Sequence, residues 1–392
     1  MHPPGADTVL VRHGEIGVKS PQVQHSMERR LRNNLAGLLA DRDVDGDVRA
    51  EHGRLYVHTT TDAVDAATSA AADAFGVVSA SPATVVEPTM DAICDALAGA
   101  ASEHYDGGSF AVRARRAGEP EAHPFASTDL EESGGAAVWR AAEAAGVEPS
   151  VDLESPDTTF FVEARPERAF VFCEKRSGPG GLPLGSQAPL VALVSGGIDS
   201  PVAAWEAMRR GSPVYPLYVD LGDYGGPDHR ARAARTVADL RRYAPDLSMR
   251  VAPGGDGIDR LVAGMDGLRM LSVRRFILAI GAAVADDLDA AGLVTGEAIG
   301  QKSSQTATNL RVTTAAVDLP VHRPLLTMDK SEITRRAREI GTFDHATIPA
   351  GCNRVAPSLP ETAATRAEVR DAEPDDLFEL ARDAADRVDV VD

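Results

Sequence analysis

Apolar residues in this chain follow two periods, and the order in which those periods alternate divides it into stretches of different character. Residues 8–12 (TVLVR) read as a strand, and 22–39 as a helix with Met27, Leu31, Leu35, Leu38 and Leu39 at helical spacing. A strand at 55–58, a helix at 63–75 and a strand at 77–81 follow, an order of β-α-β-α-β that predicts a small α+β sheet domain. A second unit comes next: a helix at 90–101, an alternating strand SFAVRARR at 109–116, a helix at 128–145, and a hairpin from 158–164 and 168–174. Residues 177–187 (SGPGGLPLGSQ) carry Gly and Pro without periodicity and read as a linker or ordered loop. Beyond them the strands 190–194, 214–219, 248–251 and 293–295 alternate with longer helices, the pattern of a doubly wound parallel sheet. Ligands on such sheets bind at the carboxyl ends of the strands.

Composition narrows the class. The chain has 392 residues, 43% of them hydrophobic, with no apolar run long enough for a membrane helix and no secretory leader pattern at MHPPGADTVLVRHGE. Three cysteines make no disulfide framework, so a cytoplasmic protein with no membrane partner is expected. The net charge of −19 argues against a nucleic-acid partner at ordinary salt. However, only Lys19, Lys175, Lys302 and Lys330 are lysines, and this acidic, lysine-poor, Asp- and Ala-rich composition resembles proteins of salt-loving archaea. At molar salt the Debye length falls to ~3 Å, so local arginine clusters rather than net charge govern encounters with phosphate.

The chemistry starts at Leu193-Val194-Ser195-Gly196-Gly197-Ile198-Asp199-Ser200, where the first strand of the parallel sheet stops on two glycines ahead of a helix. Backbone N–H groups of such a turn form an anion nest, and the following helix adds its positive end. Gly196 and Gly197 admit close approach of a phosphate, the Ser195 and Ser200 hydroxyls add donors, and Asp199 suits Mg²⁺ or a lysine held against a pyrophosphate. A plain β-turn-α connection with a capping residue is the alternative. No GxxxxGK[ST] sequence occurs, which removes the ordinary ATPase or GTPase.

The loop SGGIDS resembles the pyrophosphate-binding loop of the ATP-pyrophosphatase (PP-loop) superfamily. LVTGEAIGQKSSQTATNL (293–310), HRPLLTMDKSEI (322–333), RRFI (274–277) and GGLPLG (180–185) resemble the tRNA uracil 4-sulfurtransferases, the 4-thiouridine synthetases of ThiI type. Upstream, RHGEIGVKS, GRLYV, FGVVSASPA and FAVRARR…HPFAS are similar to that family's ferredoxin-like and THUMP domains. The resemblance implies an α/β multidomain chain: a ferredoxin-like α+β domain over 1–75, a THUMP RNA-binding domain over 76–175 and a doubly wound PP-loop domain over 176–392. It implies ATP and Mg²⁺ as cofactors and tRNA as partner, with adenylation of a uridine O4, loss of pyrophosphate and displacement of AMP by sulfur. Leu193, Val194, Arg274, Gly296 and Gln305 would contact ATP, and Asp199 and Lys330 would be its essential polar residues. No protein metal site is expected beyond Mg²⁺ brought with ATP near Asp199. Glu297 reads as a helix-start acid and Gln301 as a cap, neither with a catalytic role.

Cys352, in IPAGCNRV, matches the family's catalytic cysteine and is expected to carry sulfur, with Arg354 lowering its pKa. Cys94 and Cys173 lie in a helix and a strand and read as packing residues. About forty residues follow Cys352, which leaves no room for a rhodanese domain. The CxxC of some archaeal members is replaced by Met270-Leu271-Ser272-Val273, so no iron–sulfur cluster is expected. The sulfur donor (a cysteine desulfurase, another persulfide carrier or sulfide) and a homodimer both stay open. For RNA, the resemblance points to Lys19, Arg113, Arg115 and Arg116, of which Arg113 and Arg115 share a strand face. The alternatives are another PP-loop adenylating enzyme acting on tRNA or a small molecule, and a catalytically dead tRNA-binding adaptor.

Overall fold

The structure is a computed structural model and describes residues 1–391 apart from 19, 52–53, 119–122, 226, 347–354 and 356–360. The chain divides into two units, Met1–Pro183 and Leu184–Asp392.

In the first unit, strands β1 (Thr8–His13), β2 (Asp47–Glu51), β3 (Arg54–His58), β4 (Val77–Val86), β5 (Ser109–Arg116), β6 (Ser150–Val151), β7 (Thr158–Ala164), β8 (Ala169–Phe172) and β9 (Arg176–Ser177) form one sheet. Its order is β2-β3-β1-β4-β8-β7-β5-β6, with β9 also on β4. The expected β-α-β-α-β order is corrected by β2, an edge strand in which only Val48 is buried, too polar for its alternation to show. The strand expected at 77–81 runs on to Val86 through Pro82. That proline lies opposite Val9 of β1 and, on its other side, between the pairing of β9 (Ser79–Ala80) and that of β8 (Thr84–Val86), a gap that tolerates a residue without an N–H. β4 therefore joins the two halves of this sheet. The hairpin of β7 and β8 forms as expected.

Helices α1 (Pro21–Asp41), α2 (Val64–Asp73), α3 (Met90–His104) and α4 (Ser127–Ala144) complete the unit. On α1, Leu31, Leu35, Leu38 and Leu39 pack with Val9, Val11, Leu55 and Val57. On α3 and α4, Ile93, Leu97, Leu130 and Val138 pack with Phe110, Val112, Phe160 and Val162. Strand alternation sends the intervening residues to the opposite face. There Leu10, Tyr56, Phe170 and Phe172 make a separate apolar cluster.

In the second unit, β10 (Leu190–Leu193), β11 (Val214–Asp220), β12 (Met249–Pro253), β13 (Leu293–Val294), β14 (Val321–His322) and β15 (Asp389–Val391) form a sheet of order β14-β13-β10-β11-β12-β15. All pairs are parallel except β12 with β15. β14 and β15 were not expected from the sequence, being two and three residues long with no buried position. The helices are α5 (Asp199–Arg209), α6 (Pro227–Leu240), α7 (Gly255–Gly264), α8 (Arg269–Asp287), α9 (Ala307–Thr314), α10 (Lys330–Glu339), α11 (Phe343–Ala346), α12 (Arg366–Ala372) and α13 (Leu377–Asp386).

From β10 the chain winds outward through α5, β11, α6 and β12. It then returns through α7 and α8 to lay β13 on the other side of β10, which makes the doubly wound sheet with its switch point between β10 and β13. Fully buried Phe276 on α8 anchors this core with Leu217, Val219 and Ile280. It presses so closely on α7 that a Cβ on Gly257 would lie 2.2 Å from its ring.

Candidate nucleotide site and an arginine-lined sheet face

The paired arginines of RRFI sit about 100° apart around α8 and go to different tasks. Arg275 is buried and forks onto Glu373, Nε donating to Oε1 at 2.7 Å and Nη2 to Oε2 at 3.1 Å, which ties α8 to the segment before α13. Arg274 instead lines a cavity of about 370 Å³ at the carboxyl ends of β10, β11 and β13, the place the switch point predicts.

That cavity gathers Leu193, Val194, Ser195, Gly197, Asp199, Ser200, Arg274, Gly296 and Gln305, nine of the residues singled out from sequence. The turn is held by its own side chains. Ser200 Oγ accepts from the Ser195 N–H at 2.8 Å and donates to the Ser195 carbonyl at 3.2 Å, and Ser195 Oγ accepts from the Gly197 N–H at 3.3 Å. The two hydroxyls thus shape the loop, whereas the Gly196 and Ile198 N–H groups take no partner among the described residues. The two glycines divide their work. Gly197 is exposed, while Gly196 is buried against α6, where a Cβ would meet the Cβ and Nε of Arg232 at 3.1 Å. Gly296 serves a third contact: a Cβ there would lie 2.7 Å from Asp199 C and Ser200 N, so the end of β13 packs on the backbone that opens α5.

Asp199, in the first turn of α5, accepts from Lys330 Nζ at 2.6 Å. Lys330 is the first residue of α10, behind an Asp329–Glu332 capping box. A cation at a helix N-terminus opposes the macrodipole, so helix stability does not account for it. Its Nζ reaches Asp199, which lines the cavity.

The largest departure from sequence expectation is Glu297. Expected only to start a helix, it is 6% exposed in the wall of the cavity. Its Oε1 accepts from Arg274 Nη1 at 2.6 Å and its Oε2 from Arg323 Nε at 2.8 Å. Arg274 Nε donates to Ser304 Oγ at 2.9 Å. With its amide turned so that both atoms find partners, Gln305 accepts from Arg274 Nη2 at 3.1 Å and donates to the Ala298 carbonyl at 3.0 Å. Residues the sequence did not flag also line the wall: Tyr218 and Val219 at the end of β11, Tyr224 after it, His229 on α6, Met270 and Ile277 on α8, and Val355. The strand-end rule could have found Tyr218 and Val219, which close β11. Burial and neighbouring Arg232 hold His229 below the usual histidine range, so it adds no charge at neutral pH.

Of the cysteines, Cys352 lies outside the described residues, as do Arg354 and Lys19. Val355, three residues after Cys352, is 4% exposed in the cavity wall. Burial pushes the Cys173 thiol up to about 12 and raises that of Cys94, which leaves both protonated and unreactive at neutral pH. Among the described residues no group of three or more His, Cys, Asp or Glu side chains could hold a metal ion. No helix among them is long and apolar enough to cross a membrane.

In the first unit, the β5–β7–β8 register puts Arg113 and Arg115 on the sheet face opposite the helices, beside Phe161, Glu163, Phe170 and Phe172. Arg113 donates to the Leu153 carbonyl. Arg116, one residue on, falls on the other face and donates to the Phe125 carbonyl at 2.8 Å, bracing the loop before α4. Several cations that the sequence pattern does not single out join the first two. Arg12 lies 4.8 Å from the Phe172 ring centre, Arg168 4.9 Å from that of Tyr56, and Lys175 Nζ 3.8 Å from that of Phe161. Arg54 and Arg165 each pair with Glu163 at 3.0 Å. One buried acid stands among four arginines, so burial and the Arg54 charge push Arg12 down to about 10. In a chain of net charge −19, this face concentrates positive charge.

Comparisons with known proteins agree across the whole chain. Residues 185–378 match the model described as "Thiamine biosynthesis protein (ThiI)", 8–81 the "ThiI ferredoxin-like domain" and 87–174 the "THUMP domain". A "Probable tRNA sulfurtransferase" of Halobacterium salinarum is 61% identical over 98% of this chain and 97% of its own. One of Methanosarcina acetivorans is 39% identical over 91% and 87%. The crystal structure of a 4-thiouridine synthetase–RNA complex with bound ATP superposes with a TM-score of 0.82 at 26% identity, covering 99% of this chain and 100% of that one.

Proposed function

Since this chain belongs to the tRNA sulfurtransferase family, we propose that its cavity adenylates a tRNA uridine at O4 and that sulfur then replaces the oxygen to give 4-thiouridine. The reaction class is ATP-dependent tRNA thiolation. The observation that carries the reading is the meeting of the glycine turn, Asp199 and Arg274 in one cavity at the sheet's switch point, with Lys330 paired to Asp199. A uridine carbonyl oxygen is a poor leaving group until activated, so O4 must first attack the α-phosphate of ATP, forming an O4–adenylate and expelling pyrophosphate. Unpartnered loop N–H groups and the α5 N-terminus receive the phosphates. Lys330 neutralises charge that grows on the leaving pyrophosphate. Mg²⁺ arriving with ATP would be held by Asp199, the cavity carboxylate not already shared between two arginines, and would supply further charge neutralisation.

Cys352 carries or assists the sulfur. On the persulfide route Cys352 receives a sulfane sulfur from an outside persulfide donor. Its outer sulfur attacks C4 and expels AMP, and an outside thiol reduces the resulting disulfide to release 4-thiouridine. Free sulfide instead attacks C4 directly. The placement of Val355 in the cavity wall supports this assignment. The arginine-lined face of the first unit docks tRNA by binding its phosphates, and the cytoplasm is the compartment where that substrate is found.

Purified protein given unmodified tRNA, ATP, Mg²⁺ and sulfide should release pyrophosphate, and nucleoside mass spectrometry of the tRNA should show 4-thiouridine. Release of inorganic phosphate instead would overturn the reading, and pyrophosphate release independent of tRNA would point to a small-molecule substrate. For docking, Arg113→Ala with Arg115→Ala should weaken tRNA binding. The slope of log affinity against log salt should become shallower by about one for each phosphate no longer neutralised. Binding of an ATP analogue should be unchanged. An unaltered salt slope would remove these two arginines from the interface.

A further inference from the structure

We propose that Glu297, assisted by Ser304, is a positioning residue for the adenylation step, locking the guanidinium of Arg274 in the orientation that meets ATP. The inference rests on the reading of this cavity as the ATP site and deepens it.

Glu297 is 6% exposed, and a carboxylate so far from water must be paired. Its pairing is divided. Oε2 takes Arg323 Nε at 2.8 Å and the Thr295 hydroxyl at 3.1 Å, and Arg323 is itself held by Thr314 Oγ1 at 2.9 Å. That side is a fixed base. Oε1 takes Arg274 Nη1 at 2.6 Å, and Arg274 has its remaining contacts at Ser304 and Gln305. A guanidinium has five N–H bonds in one plane. Three are taken here, one on each nitrogen, which leaves two on the terminal nitrogens for a ligand of the cavity that Arg274 lines. Planar donors recognise phosphate oxygens only when their plane is fixed, and a plane held at three nitrogens is fixed.

Arg275 supplies the internal contrast. It pairs with a buried acid as Arg274 does, there by a two-nitrogen fork, but Arg275 and Glu373 both lie away from the cavity and join helices only. Glu297 differs in that one of its two arginines faces ligand space. Its position supports the same role: it follows Gly296, which packs on the backbone opening α5, so the acid is referenced to the phosphate turn itself.

The experiment is a double-mutant cycle in the full-length protein. Wild type, Glu297→Gln, Arg274→Ala and the double variant are titrated with α,β-methylene ATP, with melting temperature recorded alongside. Glu297→Gln should weaken analogue binding by about tenfold, the scale of one charge-assisted hydrogen bond, and the double variant should bind no more weakly than Arg274→Ala alone. Losses that multiply in the double variant, or wild-type affinity in Glu297→Gln, would overturn the proposal while leaving the ATP site standing. Wild-type affinity in Arg274→Ala would instead overturn the ATP-site reading, and this inference with it. Should Glu297→Gln fail to fold, Ser304→Ala takes its place in the cycle, since it frees Arg274 from the other side. A several-fold loss absent from the Arg274→Ala background supports the lock, and unchanged binding overturns it.

Discussion

Lys330→Ala should release pyrophosphate from ATP and tRNA at least about 10²-fold more slowly than wild type, because the charge that neutralises the departing phosphates is gone. The fold should not notice. Lys330 is 53% exposed on its side chain, and among the described residues its ion pair is to Asp199. The Asp329–Glu332 capping box that starts α10 survives the change, and removing a cation from the first helical position favours that helix slightly. Asp199→Asn should act in the same direction, more strongly at low Mg²⁺ if the carboxylate also holds the metal. The measurement is a single-turnover pyrophosphate assay at the protein's working salt, with melting temperatures in parallel. A Lys330→Ala rate within threefold of wild type would remove the residue from the chemistry. A fall in melting temperature that tracks the loss of rate would make its role structural.

Cys352→Ala should separate the two halves of the reaction. Adenylation needs the phosphate turn, Asp199 and Lys330, so pyrophosphate release on tRNA should persist near the wild-type level. With a persulfide donor and a thiol reductant in place of sulfide, formation of 4-thiouridine should fall by about 10²-fold or more, the usual cost of deleting a covalent nucleophile. Cys94→Ala and Cys173→Ala should leave both steps intact, because burial keeps those thiols protonated. Nucleoside mass spectrometry together with pyrophosphate release reads both steps in one reaction. Full thiolation by Cys352→Ala would show that sulfur reaches the activated uridine without a protein carrier, by free sulfide. Loss of pyrophosphate release as well would show that the cysteine supports the ATP site.

The parts of this site legible in the sequence are those packed into short contiguous stretches. SGGIDS is legible as a candidate anion nest because a strand end, a tight turn and a helix start must follow one another within a few residues to make one. Lys330 is legible for another reason, since a chain with four lysines does not place one at a helix start as filler. Glu297 is not legible. Its partners lie 23 residues earlier and 26 later, and nothing local distinguishes it from an acid that begins a helix. The arginine face is half visible: alternation in β5 pairs Arg113 with Arg115, but Arg12, Arg54, Arg165 and Arg168 join them only through the ordering of β1, β3, β7 and β8 in one sheet. Arg116 shows the reverse error. Adjacent in sequence to its supposed partners, it points to the other face because strand side chains alternate.

Periodicity and local turn chemistry were enough to determine, from the amino acids alone, the two kinds of sheet, the glycine turn at the end of the first parallel strand and the order of the units, since each depends on contacts within a few residues. Tertiary structure alone decided which charged groups meet. It sent Arg274 to the cavity and Arg275 to Glu373, put Glu297 between two arginines, and stacked cations from several strands onto one face. The physical reason is reach. Hydrophobic pattern is read along the chain, but an ion pair acts over a few ångströms through space, between residues that only the packed fold brings together.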